Sequence, residues 1–401
     1  MSQEHLDTLL RRGVADIIVE SEFRKRLDEG KPLRLKMGFD PSSTDIHVGH
    51  AVGLRKLRQL QDLGHTVVLI VGDWTAQIGD PSGRSATRPT LTHAQVVENA
   101  ETYLDQFFKI VDRDRTEVRW QSDWFGPFTL ADVLKLTSQF TLAQFLQRDD
   151  FAKRFADNQP IAITELLYPL LQAYDSVEIQ SDVEFGGTDQ MFNLLVGRDL
   201  QEKMGQRPQQ CFLVPLLVGT DGVQKMSKSL NNYIGIDEPA NDIFGKTMSL
   251  PDSMIVSFFE NLTDIPDEDV AEIKHIIDAQ AGNPMDIKKR LASDLVKQFH
   301  SAEAAIEAQA FFELTVQGRG IPEDIPTFNL STADGLEGKR LSDILLEANL
   351  ASSSGEARRL INQGAVRLDD QPIPENVGAD TLTAGVLRVG RRRYLRLVSG
   401  D

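Results

Sequence analysis

The segment "RLKMGFDP" followed by "HTVVLIVGDWT", with Val52, Leu54, Leu57, Leu60 and Leu63 at helical spacing between them, constrains the fold more than any other part of the chain. Each flanking run is short, apolar and closed by Gly, Asp or Pro, as strands are, and the middle reads as one amphipathic helix. Strand, helix and strand in succession imply a parallel pair, because a helical crossover returns the chain to the same end of the sheet. Ligands of such sheets bind beyond the carboxyl ends of the strands. His47 and His50 of "HVGH" fall at that end, where the helix begins.

Two further strands are expected in "VEIQSDVEFGG" and "QCFLVPLLVG", the second too continuously apolar for a surface strand. The fold class is therefore α/β, with a parallel-sheet domain over residues 1–233. "FTLADVLKLTSQFTLAQFL" has a helical pattern inside it, predicting a helical insertion at about 126–166. An α-helical domain is expected over 234–320, where "GNPMDIKKRLASDLVKQF" offers Asn283 as N-cap and Pro284 at the first helical position. "GRGIPEDIPTFNLSTADG" reads as a linker over 321–335. A small α+β domain closes the chain at 336–401, its second helix starting at a capping-box spacing from Ser353 to Glu356 and ending at Gly364, before "AVRL".

At 401 residues, 41% hydrophobic and 26% charged, the chain can build two or three folded domains. Its single cysteine, Cys211, allows neither an internal disulfide nor a cysteine zinc site, and is most simply a core residue. The start "MSQEHLDTLLRRG" lacks the apolar centre of a signal peptide, and no run of about 18 apolar residues occurs, so no membrane association and a cytoplasmic setting are expected. A net charge of -17 excludes a protein coated in nucleic acid. From Leu336 onward, however, ten Lys or Arg outnumber nine Asp or Glu, so a nucleic-acid footprint, if present, is local.

A helix start presents unpaired N–H groups and partial positive charge, which suits an anion. Two imidazoles add donors, and Gly49 leaves room for a flat group to approach the backbone. Either His47 and His50 hold a nucleotide triphosphate, or His47 caps the turn while His50 packs in the core. "GTDGVQKMSKSLNN" carries Lys225 and Lys228 directly after an apolar strand. Alone it would be a solvated basic turn. With H-x-G-H about 175 residues earlier, it reads as a loop whose cations close over a polyphosphate and neutralise leaving pyrophosphate. Tyr168, Gln172 and Asp175 stand at i, i+4 and i+7, which puts three polar groups on one face of an apolar helix, as a solvated stripe or as a binding site.

"HVGH" and "KMSKS" resemble the two signature motifs of class I aminoacyl-tRNA synthetases. "GDPSGR" (Gly79 to Arg84), "YPLLQAYD" (Tyr168 to Asp175) and "GGTDQ" (Gly186 to Gln190) are similar in order and spacing to the bacterial tyrosyl branch of that class. The tail resembles the ribosomal-protein-type RNA-binding domain which that branch carries, so the likeness covers essentially the whole chain. It implies a Rossmann-like catalytic domain, then an α-helical anticodon-binding domain and the small RNA-binding domain. The implied reaction joins L-tyrosine and ATP to tyrosyl-adenylate, and transfers the tyrosyl group to the 3′ end of tRNA(Tyr). By the same resemblance His47, His50, Lys225 and Lys228 carry catalysis. Asp40, Gly49, Gly187 and Asp189 join them around ATP, Asp189 at the ribose. Asp175 accepts the substrate phenol, while Asp80, Tyr168 and Gln172 hold its amino group and Gln190 its carboxylate side. Arg358, Arg359, Arg391, Arg392 and Arg393 are the expected tRNA contacts. Mg²⁺ arrives with ATP as substrate, with no tightly bound cofactor and no metal held by the protein, and the inserted helices form a homodimer.

The sequence departs from the better-known members at Lys36, where they have a Tyr on the phenol, at Met37, where they have a small residue, and at Arg84, where they have Lys. Lys36 is expected either to orient Asp175 or to contribute little. The alternatives are a tryptophanyl enzyme, with a similar catalytic domain, and an inactive RNA-binding relative. The Asp175 group and the tail favour tyrosyl over the first, and the intact signature motifs speak against the second.

Overall fold

Six strands build the first sheet: β1 (Asp16–Ile18), β2 (Arg34–Phe39), β3 (Thr66–Val71), β4 (Thr116–Trp120), β5 (Val183–Gly187) and β6 (Gln210–Val214). Their order is β1-β6-β5-β2-β3-β4, all neighbours parallel except β1 against β6. β2 and β3 are joined by the helix Val48–Asp62, as the sequence predicts. From β2 the chain builds outward through β3 and β4, then returns to add β5 and β6 on the other side. The carboxyl ends of β2 and β5 therefore flank the switch point where open α/β sheets bind ligands.

The computed structural model describes residues 3–41, 46–82, 92–317, 325–330, 338–390 and 393–399. They group into two compact units, Met1–Glu238 with Leu250–Ile287, and Pro239–Ser249 with Lys288–Asp401. The helices expected as one body over 234–320 are thus shared. Ala240–Met248 groups with the second unit, Ile255–Leu262 and Asp267–Asp278 with the first.

In the first unit, Ala51, Leu54, Leu57 and Leu60 of helix Val48–Asp62 are fully buried. Truncating such a leucine to alanine costs about 2–5 kcal/mol. Cys211 is buried in β6. The stretch expected as a helical insertion forms Leu130–Thr137, Leu142–Phe145 and Asp149–Ala156, and Phe145 and Phe151 share a core with Leu170 and Ala173 of helix Ile163–Glu178. Two strands of the first sheet escaped the sequence reading. β1 has three residues, and β4 reads "TEVRW", half-buried throughout at the sheet edge and lacking an apolar run.

The C-terminal sheet has the order β7-β11-β10-β8-β9, from β7 (Thr327–Asn329), β8 (Val366–Leu368), β9 (Gln371–Pro372), β10 (Gly385–Val389) and β11 (Arg393–Val398). Leu387, Val389, Leu395 and Leu397 pack against Leu341, Ile344, Ala357 and Ile361 of the helices Leu341–Glu347 and Ser354–Asn362. β7 lies inside the stretch expected as linker. Three residues are too few to show periodicity, and pairing with β11 makes them a strand. The Asn283 cap is present, its Oδ1 accepting from Met285 N at 3.1 Å. The Ser353 box is shifted: Ser353 Oγ accepts from Glu356 N, but the Glu356 carboxylate returns to Ser352 rather than Ser353.

Candidate active site

A cavity of about 660 Å³ opens where β2 and β5 end. Asp40, His47, Gly49, His50, Asp80, Tyr168, Gln172, Asp175, Gly187, Asp189, Gln190, Lys225 and Lys228, every residue expected around tyrosine and ATP, line it. The topology explains the convergence. Asp40 follows β2, Asp80 the loop after β3, Asp189 and Gln190 β5, and the two lysines the loop after β6. One face of helix Ile163–Glu178 supplies the other three polar groups.

At the deep end Asp175 is 2% exposed, and its carboxylate accepts from Gln121 Nε2 at 2.8 Å and Trp124 Nε1 at 3.1 Å. The Gln121 amide cannot turn over without loss, because its Oε1 accepts from the Thr75 N–H at 2.9 Å. Burial pushes the Asp175 carboxyl up to about 7, against the Lys36 charge and these two donors, which act downward. Tyr168 donates to Asp40 Oδ2 at 2.9 Å, while Thr75 donates to Asp40 Oδ1 at 2.7 Å. Burial, and then Asp40 and Asp80, hold the Tyr168 phenol well above its ordinary value, so it remains a donor. Asp80 closes the turn by accepting from Ser82 N, and its other oxygen accepts from Gln190 Nε2 at 2.7 Å.

Lys36 makes no hydrogen bond to Asp175. Its ammonium donates to the Gln172 carbonyl and Ser176 hydroxyl, both at 2.7 Å, and pairs with Glu184 at 2.9 Å. It reaches Asp175 only through its charge.

At the open end the His47 and His50 rings stack with centroids 3.9 Å apart. His50 Nδ1 accepts from the His47 backbone N–H at 3.3 Å, so His50 rather than His47 ties the turn. His47 Nδ1 is buried without a hydrogen-bond partner. Burial first, then the neighbouring charges of His50, Lys228 and Lys225, lower His47 to about 2. Burial and the two lysines lower His50 to about 4, so both imidazoles are neutral at pH 7 and can donate one N–H each. Gly49 has a nearer reason than ligand approach: a Cβ there would stand 2.9 Å from the His47 ring. A Cβ at Gly187 would meet Asp189 at 2.7 Å and Leu216 at 2.8 Å. Lys225 pairs with Asp189 at 2.6 Å, and as half of its side chain is exposed the pair is worth only about 0–1 kcal/mol, easily exchanged for a phosphate.

In the second unit Arg358 and Arg359 are exposed on helix Ser354–Asn362. Arg393 turns inward to the Leu350 carbonyl and lies 3.8 Å from Glu356, an internal tie instead of an open contact. Arg391, Arg392 and Arg84 lie outside the described residues.

The sequence reading missed Gln121, Trp124, Thr75 and Glu184, which hold the named groups. A signal existed for Gln121, since a residue just beyond a parallel strand points at the site, but β4 itself went unrecognised.

The chain matches the model of the class I tRNA synthetases of the W and Y group over residues 28–317, and that of the S4 domain over 339–374. It is 58% identical to a tyrosine–tRNA ligase of Dehalococcoides mccartyi (strain CBDB1) over 397 residues, 99% of each chain. Against a tyrosine–tRNA ligase of Thermotoga maritima the identity is 49%, covering 100% of this chain and 99% of that one. Its fold is similar to the crystal structure of an Archaeoglobus fulgidus tyrosyl-tRNA synthetase complexed with L-tyrosine, with a TM-score of 0.61, 22% identity, and 75% of this chain and 98% of that chain covered. Sheet order, cavity and sequence likeness agree, and the chain belongs to the class I tRNA synthetases of the tryptophan and tyrosine group, within its tyrosine–tRNA ligase branch.

Proposed function

We infer that the chain activates L-tyrosine with ATP, releasing pyrophosphate, and transfers the tyrosyl group from the adenylate to the 3′ end of tRNA(Tyr). The observation that carries this reading is the buried carboxylate of Asp175 at the deep end of a cavity whose mouth holds His47, His50, Lys225 and Lys228. Asp175 would accept the phenol hydroxyl. Asp80, Tyr168 and Gln172 would surround the ammonium, with Gln190 toward the carboxylate. The nucleotide would lie over Gly49 and Gly187, its ribose at Asp189 and Asp40 nearby.

The tyrosine carboxylate attacks the α-phosphate, a carboxylate–phosphorus bond forms as the bond to pyrophosphate breaks, and the electron pair leaves with pyrophosphate. Such a displacement needs positioned reactants and stabilised charge rather than a protein nucleophile. Neutral His47 and His50 would donate hydrogen bonds to phosphate oxygens, and Lys225 and Lys228 would meet the leaving group. The unpartnered His47 Nδ1 supports a ligand there. Mg²⁺ would enter as part of the ATP substrate.

Residues 1–233 would hold this chemistry, 234–320 the anticodon-binding helices, and 336–401 the RNA-binding tail, with Arg358 and Arg359 open for phosphates. A homodimer is part of the proposal. Leu130, Leu134, Phe155 and Ile163 are each more than 60% exposed in and beside the inserted helices, a density of bare apolar side chains that a partner surface would cover. No helix among the described residues is long and apolar enough to cross a membrane. The cytoplasmic setting remains an expectation, checked by fractionation. Amino-acid-dependent pyrophosphate exchange tests the whole reading: exchange with tyrosine and not tryptophan is expected, and exchange with tryptophan or with neither would overturn it.

A further inference from the structure

β2 and β5 are central strands, and each carries one charge into the interior. Lys36 and Glu184 are direct register partners, 0% and 1% exposed, with 2.9 Å between ammonium and carboxylate. An unpaired charge at that depth would be prohibitively desolvated, so the two are retained together. Glu184 also accepts from Ser176 Oγ at 3.2 Å and from Gln209 Nε2, and from Gln172 Nε2 at 3.0 Å. The last bond reaches the cavity. A carboxylate only accepts, so the Gln172 amide must turn its NH₂ to Glu184 and its carbonyl oxygen away. The Lys36 ammonium meanwhile grips the main-chain carbonyl of the same residue at 2.7 Å. Gln172 is thereby held at both ends, on a side chain that lines the cavity.

We propose that the Lys36–Glu184 pair is a positioning device for the amino-acid substrate. Glu184 fixes the Gln172 amide so that its oxygen accepts from the substrate ammonium, and Lys36 balances the Glu184 charge while anchoring the Gln172 backbone. This deepens the tyrosine-activating reading above and rests on it.

The test is binding of two ligands, tyrosine and 3-(4-hydroxyphenyl)propionate, which is tyrosine without its ammonium. In Glu184→Gln the Gln172 amide is free to turn over. Tyrosine should then bind about tenfold to a hundredfold more weakly, the loss of one charge-assisted hydrogen bond, while the propionate binds as it does to wild type. Adding Gln172→Leu to Glu184→Gln should cost no more than Gln172→Leu alone. Where Glu184→Gln fails to fold, Lys36→Met with Glu184→Gln, an uncharged pair, takes its place with the same readout. Equal weakening of both ligands, or additive losses in the double variant, would reduce the pair to a structural role and overturn the proposal while the tyrosine reading stands. Wild-type protein that bound no tyrosine would overturn both.

Discussion

Asp175→Asn is the substitution whose outcome the structure fixes most closely. The side chain keeps its shape, but the two groups aimed at it, Gln121 Nε2 and Trp124 Nε1, both donate. Trp124 has no acceptor to offer, and Gln121 is held by Thr75, so the new NH₂ must face a donor on one side. That mismatch costs about 1–3 kcal/mol, and the loss of a charged acceptor for the substrate hydroxyl about 1.5–3 kcal/mol. kcat/KM for tyrosine should therefore fall by at least about tenfold. Phenylalanine leaves the wild-type carboxylate buried without its partner, a penalty the neutral variant relieves, so the tyrosine preference should narrow by about tenfold or more. Because the free Asp175 carboxyl is pushed up to about 7, the comparison belongs at pH 8.5, and wild-type kcat/KM for tyrosine should rise with pH through about 7. Stability moves the other way. The folded-state value lies above the ordinary 3.8, so the folded protein holds the extra proton and loses stability as pH rises from about 4 to about 7, on the order of 4 kcal/mol, which Asp175→Asn should escape. Pyrophosphate exchange with both amino acids and urea melts at three pH values make the measurement. An unchanged tyrosine-to-phenylalanine ratio at pH 8.5 would refute the assignment of this carboxylate to the phenol.

Lys225→Ala should slow adenylate formation by about 2–4 kcal/mol in single-turnover experiments and leave tyrosine binding unchanged, since its pair with Asp189 is exposed; a normal rate would remove its role. His50→Asn should flatten the acid side of the stability curve. The half-buried imidazole sits at about 4 against an ordinary 6.5, so the unfolded chain takes up the proton first, and stability present above pH 6.5 is lost as pH falls toward 4. Leu134→Asp should yield a monomer by sedimentation, and an unaltered mass would show that the exposed leucines serve another end. Truncation after residue 320 should spare pyrophosphate exchange but weaken aminoacylation at limiting tRNA, with full-length binding falling as salt is added.

The parallel core was legible because β2, β3, β5 and β6 are buried and therefore apolar in sequence. β4 was not, because an edge strand half open to water can afford Thr, Glu and Arg. That one omission hid Gln121 and Trp124. Their bonds to Asp175 span more than fifty positions in sequence and exist only because β4 lies beyond β3 in the sheet. The i, i+4, i+7 spacing disclosed that Tyr168, Gln172 and Asp175 share a face, but not what stands behind it.

Lys36 shows where a stricter physical reading would have gone further. Leu35 and Met37 beside it are both apolar, so the strand is not an alternating one with a wet face, and a lysine within it has no route to water. Burial of that charge demands an opposite charge at equal depth. The other central strands offer few. β3 and β6 carry no acidic residue, while "VEFGG" carries one, Glu184, and it stands opposite Lys36 in register. The ion pair was thus inferable from the requirement that a buried cation be matched. Its contact with Gln172 was not, because that depends on how helix Ile163–Glu178 lies against the sheet.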